Sequence, residues 1–305
     1  MTVWSLVTCV PEVGRAAPIV GAADDRGEVY RVPVLSDYPD VGAVMRQWDE
    51  LAPLLRDWQP SDGERLGAVG LVAPMPAPRK LICAGANYRD HLREMGIAEV
   101  PADFEPYFFL LPATSIAGPG QAVLIPDDPA ARVDWEAELA VVIGVPGRDI
   151  GEDDALGHVA GYTIMNDISA RGHHGRHNPL APPFAYDWLA SKGRDTFSPL
   201  GPGITPSWFV PDPQDLPIRL WRNGVLEQDG NTADMIFRVA HLVSAASALM
   251  THEPGDVIAT GTPAGVGVAQ GKALADGDVV RVEIGGLGVL ENAVRVGSPV
   301  PVPTA

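Results

Sequence analysis

A β-rich α+β fold with a small N-terminal unit is what this sequence predicts, and three observations carry the prediction. Glycine and proline number 33 and 30 and are spread along the chain, which implies many turns and loops without a low-complexity block. Short apolar, often β-branched runs recur between those residues, the pattern of strands. Helical spacing is kept over a long stretch at only two places, 41–55 and 233–250. The 305 residues suffice for one large domain or a small one plus a larger one. The proline-rich stretch VAPMPAPR (72–79) reads as a linker, so the expected units are 1–74 and 75–305.

In the first unit, 19–22 and 29–34 read as short strands around a turn signal at 24–27. Residues 41–55 have helical spacing through Val41, Val44, Met45, Trp48 and Leu51. Nothing there suggests chemistry. A buried-strand pattern at 80–84 is followed by NYRDHLREMG (87–96), where His91 and Glu94 stand three apart in a short helix ending at Gly96. A carboxylate that holds an imidazole fixes its tautomer and raises its basicity, as a general base requires. The same spacing also fits an ordinary surface ion pair. An apolar run at 107–111 leads to Pro112 and a turn at 118–120.

The stretch VDWEAELAVVIG (133–144) is a strand candidate with Asp134, Glu136 and Glu138 on one side. Ala140 and Val142 continue that side into apolar core. Carboxylates two apart on a strand, with Cα atoms roughly 7 Å apart, can converge on a hard cation; a solvated acidic face is the other reading. Residues 159–168 form another strand, and its Asp167 is the most economical third ligand if Glu136 and Glu138 hold a metal. RGHHGRHNP (171–179) carries three histidines among glycines with no acid to fix them, so it reads as a pocket-rim or solvent-facing loop. Lys192 is one of three lysines in the chain, with Lys80 and Lys272. Residues 218–228 form a strand and a turn at Asn223-Gly224, a hairpin signal. Asn231 and Thr232 cap the helix at 233–250. VIATGTPAGVG (257–267) is a strand breaking into a glycine turn with no GK[ST] after it, so nucleotide binding is unsupported. A hairpin at 279–284 and 288–296 closes the chain.

The net charge of −17 argues against nucleic acid and anionic membrane as partners. An anionic substrate would then need a local cation. The only cysteines are Cys9 and Cys83, which argues against a disulfide framework and for a reducing compartment. The first ten residues lack a basic region and no apolar run approaches ~20 residues. The expected location is cytoplasmic, with no membrane span.

Six stretches in order resemble the fumarylacetoacetate hydrolase family: NYRDHLRE (87–94), WEAELAVVIG (135–144), GYTIMNDISAR (161–171), DTFSPLGPGI (195–204), QDGNTADMIF (228–237) and EPGDVIATGTPAGVG (253–267). The resemblance implies a mixed β-sandwich roll, a homodimer, and one divalent cation on Glu136, Glu138 and Asp167. Mg²⁺ is the expected ion because all ligands are oxygens, with Mn²⁺ or Ca²⁺ as alternatives. It implies that His91 and Glu94 form a water-activating dyad on a lid segment and that Lys192 lies near the reacting carbonyl. Gly261 and Thr262 match the substrate-binding glycine turn, and Arg171 or Lys192 would balance substrate charge. The implied reaction is hydrolysis of a carbon–carbon bond in β-diketo acids of the acylpyruvate or fumarylpyruvate type. The alternatives are a decarboxylase, isomerase or tautomerase of related oxo-acids, and a catalytically silent metal-dependent binding protein. Three places depart from the family pattern: Leu111 stands where a lysine is common, Arg194 where phenylalanine is, and the 173–177 loop is atypical. The leucine implies that one positive contact is missing and that the substrate's tail is uncharged.

Overall fold

The acidic strand lies at the centre of the molecule, but in two pieces. The computed structural model, which describes residues 2–11 and 17–297, has strands at Val133–Asp134 and Ala137–Ile143 instead of one run. The outer limits of the two expected units, at 1 and 305, lie outside the described residues. At the break, the Glu136 amide donates to Asn166 Oδ1 (3.0 Å) and the Asp167 amide donates to the Glu136 carbonyl (2.8 Å). Val133–Asp134 pairs instead with Ser169–Ala170. This crossing of two strand ends brings Glu136 beside Asp167. Beyond it, Ala137–Ile143 runs antiparallel to both Val159–Asn166 and Val257–Ala259.

Alternation along that strand feeds two cores. Leu139, Val141 and Ile143 pack with Ile218, Leu220, Val282 and Leu290 of a second, five-stranded sheet. Ala140 and Val142, the continuation of the acidic side, pack with Trp4, Leu35, Met45 and Trp48 from the N-terminal segment. Each fully buried aliphatic side chain contributes about 1.5–3 kcal/mol, and this double burial is what holds an acidic strand end inside the protein. The five-stranded sheet contains the two predicted hairpins. At the first, Asn223 (φ +51°) and Gly224 (φ +78°) are both left-handed, as a two-residue turn between twisted strands requires. The second hairpin is Val279–Ile284 with Gly288–Val296.

The N-terminal segment shares the sheet and core of the rest. Trp4–Pro11, a strand that the sequence pattern did not single out, lies beside Ser198–Pro206 with Leu6 opposite Ile204. The proline stretch at 72–79 is packed, not slack. The Pro74 carbonyl accepts the Thr8 hydroxyl (2.9 Å), and Met75 is buried. The helix expected at 41–55 is two helices, Val41–Met45 and Trp48–Arg56.

The long helix starts later than its periodicity suggested, at Val239, and ends at Leu249. Asn231 does cap, but its side chain accepts from Ala233 N at a single 3-10 turn, Thr232–Asp234. The chain between is held open by Asn87, whose carbonyl accepts Ile236 N (2.7 Å) and whose Oδ1 accepts Phe237 N (2.8 Å). A long-range partner for these amides replaces the helical one. Among the described residues no helix is long and apolar enough to cross a membrane, and Cys9 and Cys83 are free thiols.

Candidate active site

Glu136, Glu138 and Asp167 are all buried, and one oxygen from each lies within 4.8 Å of the others. Glu138 Oε2 accepts the Gly261 amide (2.8 Å). Lys192 Nζ donates to Glu136 Oε2 (2.6 Å) and to Asp167 Oδ2 (2.7 Å). The Arg171 guanidinium bonds the other oxygen of Glu136 and, through Nε, Asp134 Oδ1 (2.7 Å). Asp134 Oδ2 accepts the Val268 amide (2.7 Å). Of the three acids predicted to share a side, the second and third join Asp167. The first holds Arg171 against the glycine turn.

The electrostatics follow from that count of charges: four buried carboxylates face two cations. Burial, reinforced by Asp167 and Glu136, pushes the Glu138 carboxyl well above its ordinary range. Burial likewise raises Asp167 to about 6 and Asp134 to about 6, in spite of Lys192 and Arg171 respectively. Glu136 feels the same burial, but Arg171 and Lys192 outweigh it and hold its carboxyl at about 2. Asp167 Oδ1 is buried and has no hydrogen-bond partner. An orphaned carboxylate oxygen, an all-oxygen donor set and an excess of negative charge together fit a hard divalent cation.

The imidazole dyad approaches from the helix Arg89–Glu94. His91 Nδ1 lies 2.9 Å from Glu94 Oε2, while Glu94 Oε1 accepts the Gly265 amide (2.9 Å). Both oxygens of Glu94 are thus committed, one to the imidazole and one to the glycine turn. His91 Nε2 makes no hydrogen bond among the described residues. The turn is pinned from both sides. Asn87 Nδ2 donates to the Thr260 carbonyl (2.9 Å), and Gln228 Nε2 donates to Thr262 Oγ1 and the Pro263 carbonyl (both 2.8 Å). Gly261 has φ +89°, and a Cβ there would lie 2.9 Å from Asn87 Cβ, so the close approach requires glycine.

One cavity of about 290 Å³ gathers His91, Glu94, Glu136, Glu138, Asp167, Arg171, Lys192, Gly261 and Thr262. Its remaining wall includes Met95, Phe109, Trp188 and His174. The sequence reading offered a pocket rim for the His174 loop but missed Met95, Phe109 and Trp188, which come from separate segments that share no periodicity. Asn87 and Gln228 were missed as well; an asparagine before a short helix was the one available signal.

The inference from Leu111 does not survive. Leu111 is buried among Leu81, Met45 and Trp48 in the N-terminal core and does not line the cavity. A hydrophobic core position at a strand end explains the leucine without reference to substrate. Arg194 is also turned away: its Nε donates to the Ala190 carbonyl (3.0 Å) and its Nη2 meets His173 Nδ1 (2.8 Å). Of the loop histidines, His173 is also bonded to Asp128 (3.1 Å), His177 is exposed, and His174 reaches the cavity.

Residues 80–295 match the family model described as fumarylacetoacetate (FAA) hydrolase, C-terminal. The chain belongs to the fumarylacetoacetate hydrolase family. Within it, a mitochondrial oxaloacetate tautomerase of Xenopus laevis, fahd2, is 45% identical over 228 residues, which span 74% of this chain and 68% of the relative. The family fold also extends through the N-terminal layer. A fumarylacetoacetate hydrolase from Exiguobacterium antarcticum superposes with a TM-score of 0.80 at 34% identity, covering 97% of this chain and 100% of its own. A maleylpyruvate hydrolase from Sphingobium sp. SYK-6, solved with manganese(II) and pyruvate, gives a TM-score of 0.77 at 30% identity, with 96% and 100% covered.

Proposed function

We propose that this family member is a keto–enol tautomerase of 2-oxo acids that works with Mg²⁺ on Glu136, Glu138 and Asp167. The His91–Glu94 pair, held at 2.9 Å on the same cavity as the acidic triad, supports acid–base chemistry on an oxo acid, and the choice of tautomerisation is carried by the 45% identity to a protein named oxaloacetate tautomerase. Tautomerisation needs a group that carries a proton between carbon and oxygen and a charge that steadies the oxygen meanwhile. A divalent cation, when bound, supplies that charge and draws the adjacent oxygens of the oxo acid.

The chain's own residues do the rest. His91 Nε2 removes a proton from C3 of the keto form, and the Glu94 carboxylate stabilises the imidazolium through Nδ1. His91 then returns the proton to the C2 oxygen, so the enol has the composition of the keto acid. The reverse path consumes enol. Lys192 keeps Glu136 and Asp167 paired while they lie out of water, and Gly261 and Thr262 also line the cavity.

Hydrolysis of a carbon–carbon bond, the reaction implied by the family resemblance, would use the same dyad on a water molecule. The structure solved with manganese and pyruvate favours it. The identity of 45% to a protein named oxaloacetate tautomerase, against 30–34% to the two named hydrolases, supports tautomerisation. The test is the loss of enol absorbance of a 2-oxo acid with Mg²⁺ present. The protein should accelerate that loss and leave the keto acid intact. Two fragments from an acylpyruvate, with no acceleration of the ketonisation of a simple 2-oxo acid, would assign the site to hydrolysis instead. We also propose a cytoplasmic homodimer, to be tested by cell fractionation and by sedimentation of the purified protein.

A further inference from the structure

We infer that the substrate carries an uncharged, planar tail on C3, seated against the wall formed by Trp188, Phe109 and His174. The inference rests on the tautomerase reading above and adds the substrate class.

Two observations carry it. The first is the absence of a free countercharge. Arg171 and Lys192 are the two basic side chains of the cavity apart from its histidines, and both are committed: Arg171 to Asp134 and Glu136, Lys192 to Glu136 and Asp167. A second carboxylate on the substrate would enter a site already rich in carboxylates and find no unpaired cation, which is unfavourable away from water. The second observation is the built aromatic wall. Trp188 stacks on Phe109 with centroids 4.7 Å apart and takes His174 edge-on at 4.5 Å. The ring nitrogens of His174 make no hydrogen bond among the described residues. Burial, together with Lys192 and Arg171, lowers the proton affinity of His174, so at neutral pH it presents a neutral ring. Flat, neutral, polarisable groups are what such a wall binds. His174 belongs to the 173–177 loop, one of the three places where the sequence departs from the family pattern.

Phenylpyruvate and oxaloacetate share the 2-oxo acid head and differ by phenyl against carboxylate on C3. Both have enols that can be followed by absorbance. With Mg²⁺, kcat/KM for phenylpyruvate should exceed that for oxaloacetate by roughly tenfold or more. Trp188→Ala and His174→Ala should each lower kcat/KM for phenylpyruvate by about tenfold, mainly through KM, and change oxaloacetate by less than about threefold. Trp188→Phe, which restores a flat ring, should recover most of the loss. A preference for oxaloacetate, or equal losses on both substrates, overturns the inference. Calorimetric titration of the Mg²⁺-loaded protein with each keto acid separates it from the parent reading. Tighter binding of phenylpyruvate without turnover would remove the tautomerase and keep the tail preference. Equal binding, or none, would remove the tail preference.

Discussion

Lys192 Nζ lies 2.7 Å from Asp167 Oδ2, and the other oxygen of that carboxylate is buried without a partner. One half of Asp167 is bonded by Lys192, the other half has no hydrogen-bond partner, and the carboxylate lies within 4.8 Å of those of Glu136 and Glu138. Glu138→Ala should therefore leave the fold intact and weaken Mg²⁺ or Mn²⁺ binding by at least about 100-fold. Calorimetric titration measures it; stoichiometric binding by the variant would refute the ligand assignment.

Lys192 compensates buried charge as well as facing the cavity. Its removal as Lys192→Met leaves Asp167 without a cation and Glu136 with Arg171 alone, and should cost about 3–5 kcal/mol in the metal-free protein. Added Mg²⁺ should restore part of that, because it supplies the missing positive charge. Denaturant titrations with and without the ion check both statements. A variant as stable as the parent without metal would show that Lys192 compensates nothing.

Metal binding should depend on pH with a defined sign. Asp167 is raised from 3.8 to about 6 in the metal-free protein, and Glu138 is also raised. Both must lose protons to bind a cation, so affinity should increase as pH rises through about 6 and fall away below it. For the metal-free fold the same shift acts oppositely. Between 3.8 and about 6 folded Asp167 holds a proton that the unfolded chain releases, so its contribution to stability falls as pH rises through that window. The increase in Tm caused by Mg²⁺ should accordingly be larger at pH 7.5 than at pH 5. An increase of equal size at both pH values would contradict the assignment.

His91→Ala should lower kcat by roughly 10²–10⁴-fold with metal affinity unchanged. Glu94→Gln keeps a hydrogen-bonding group near Nδ1 but removes the charge that steadies the imidazolium, so its loss should be smaller and appear in kcat more than in KM. Unchanged turnover in His91→Ala would mean that the dyad does not carry the proton.

Gly261→Ala tests the glycine turn. The backbone there has φ +89° and the added carbon would lie 2.9 Å from Asn87 Cβ. The variant should lose about 1–3 kcal/mol of stability and bind metal less tightly, since Gly261 N anchors Glu138. Unaltered metal affinity would show that the anchor is dispensable.

Leu111 shows how an expectation can be built on a side chain that does not face the cavity. An uncharged tail was expected because lysine is absent at that place, yet the side chain there lies in a core. The tail preference proposed above rests instead on Phe109, two residues earlier, with Trp188 and His174. Pattern comparison identifies which residue stands at a position but not which way its side chain points.

What the sequence by itself determined was set over short distances. Glu136 and Glu138 share a side because strand side chains alternate, His91 meets Glu94 because helix neighbours stand three apart, and Asn223-Gly224 turns because both adopt left-handed backbone. These relations need only a few residues and local sterics. Only the tertiary structure decided the rest. It broke the acidic strand at Trp135, gave Asp134 to Arg171, and opened the helix start at 233–238 by lending its amides to Asn87. It also joined the N-terminal strands to the main sheet through Leu6 and Ile204. The bond from Gly261 to Glu138 spans 123 residues and that from Asn87 to Phe237 spans 150. Such contacts depend on how whole layers pack, and no local period in the chain encodes them.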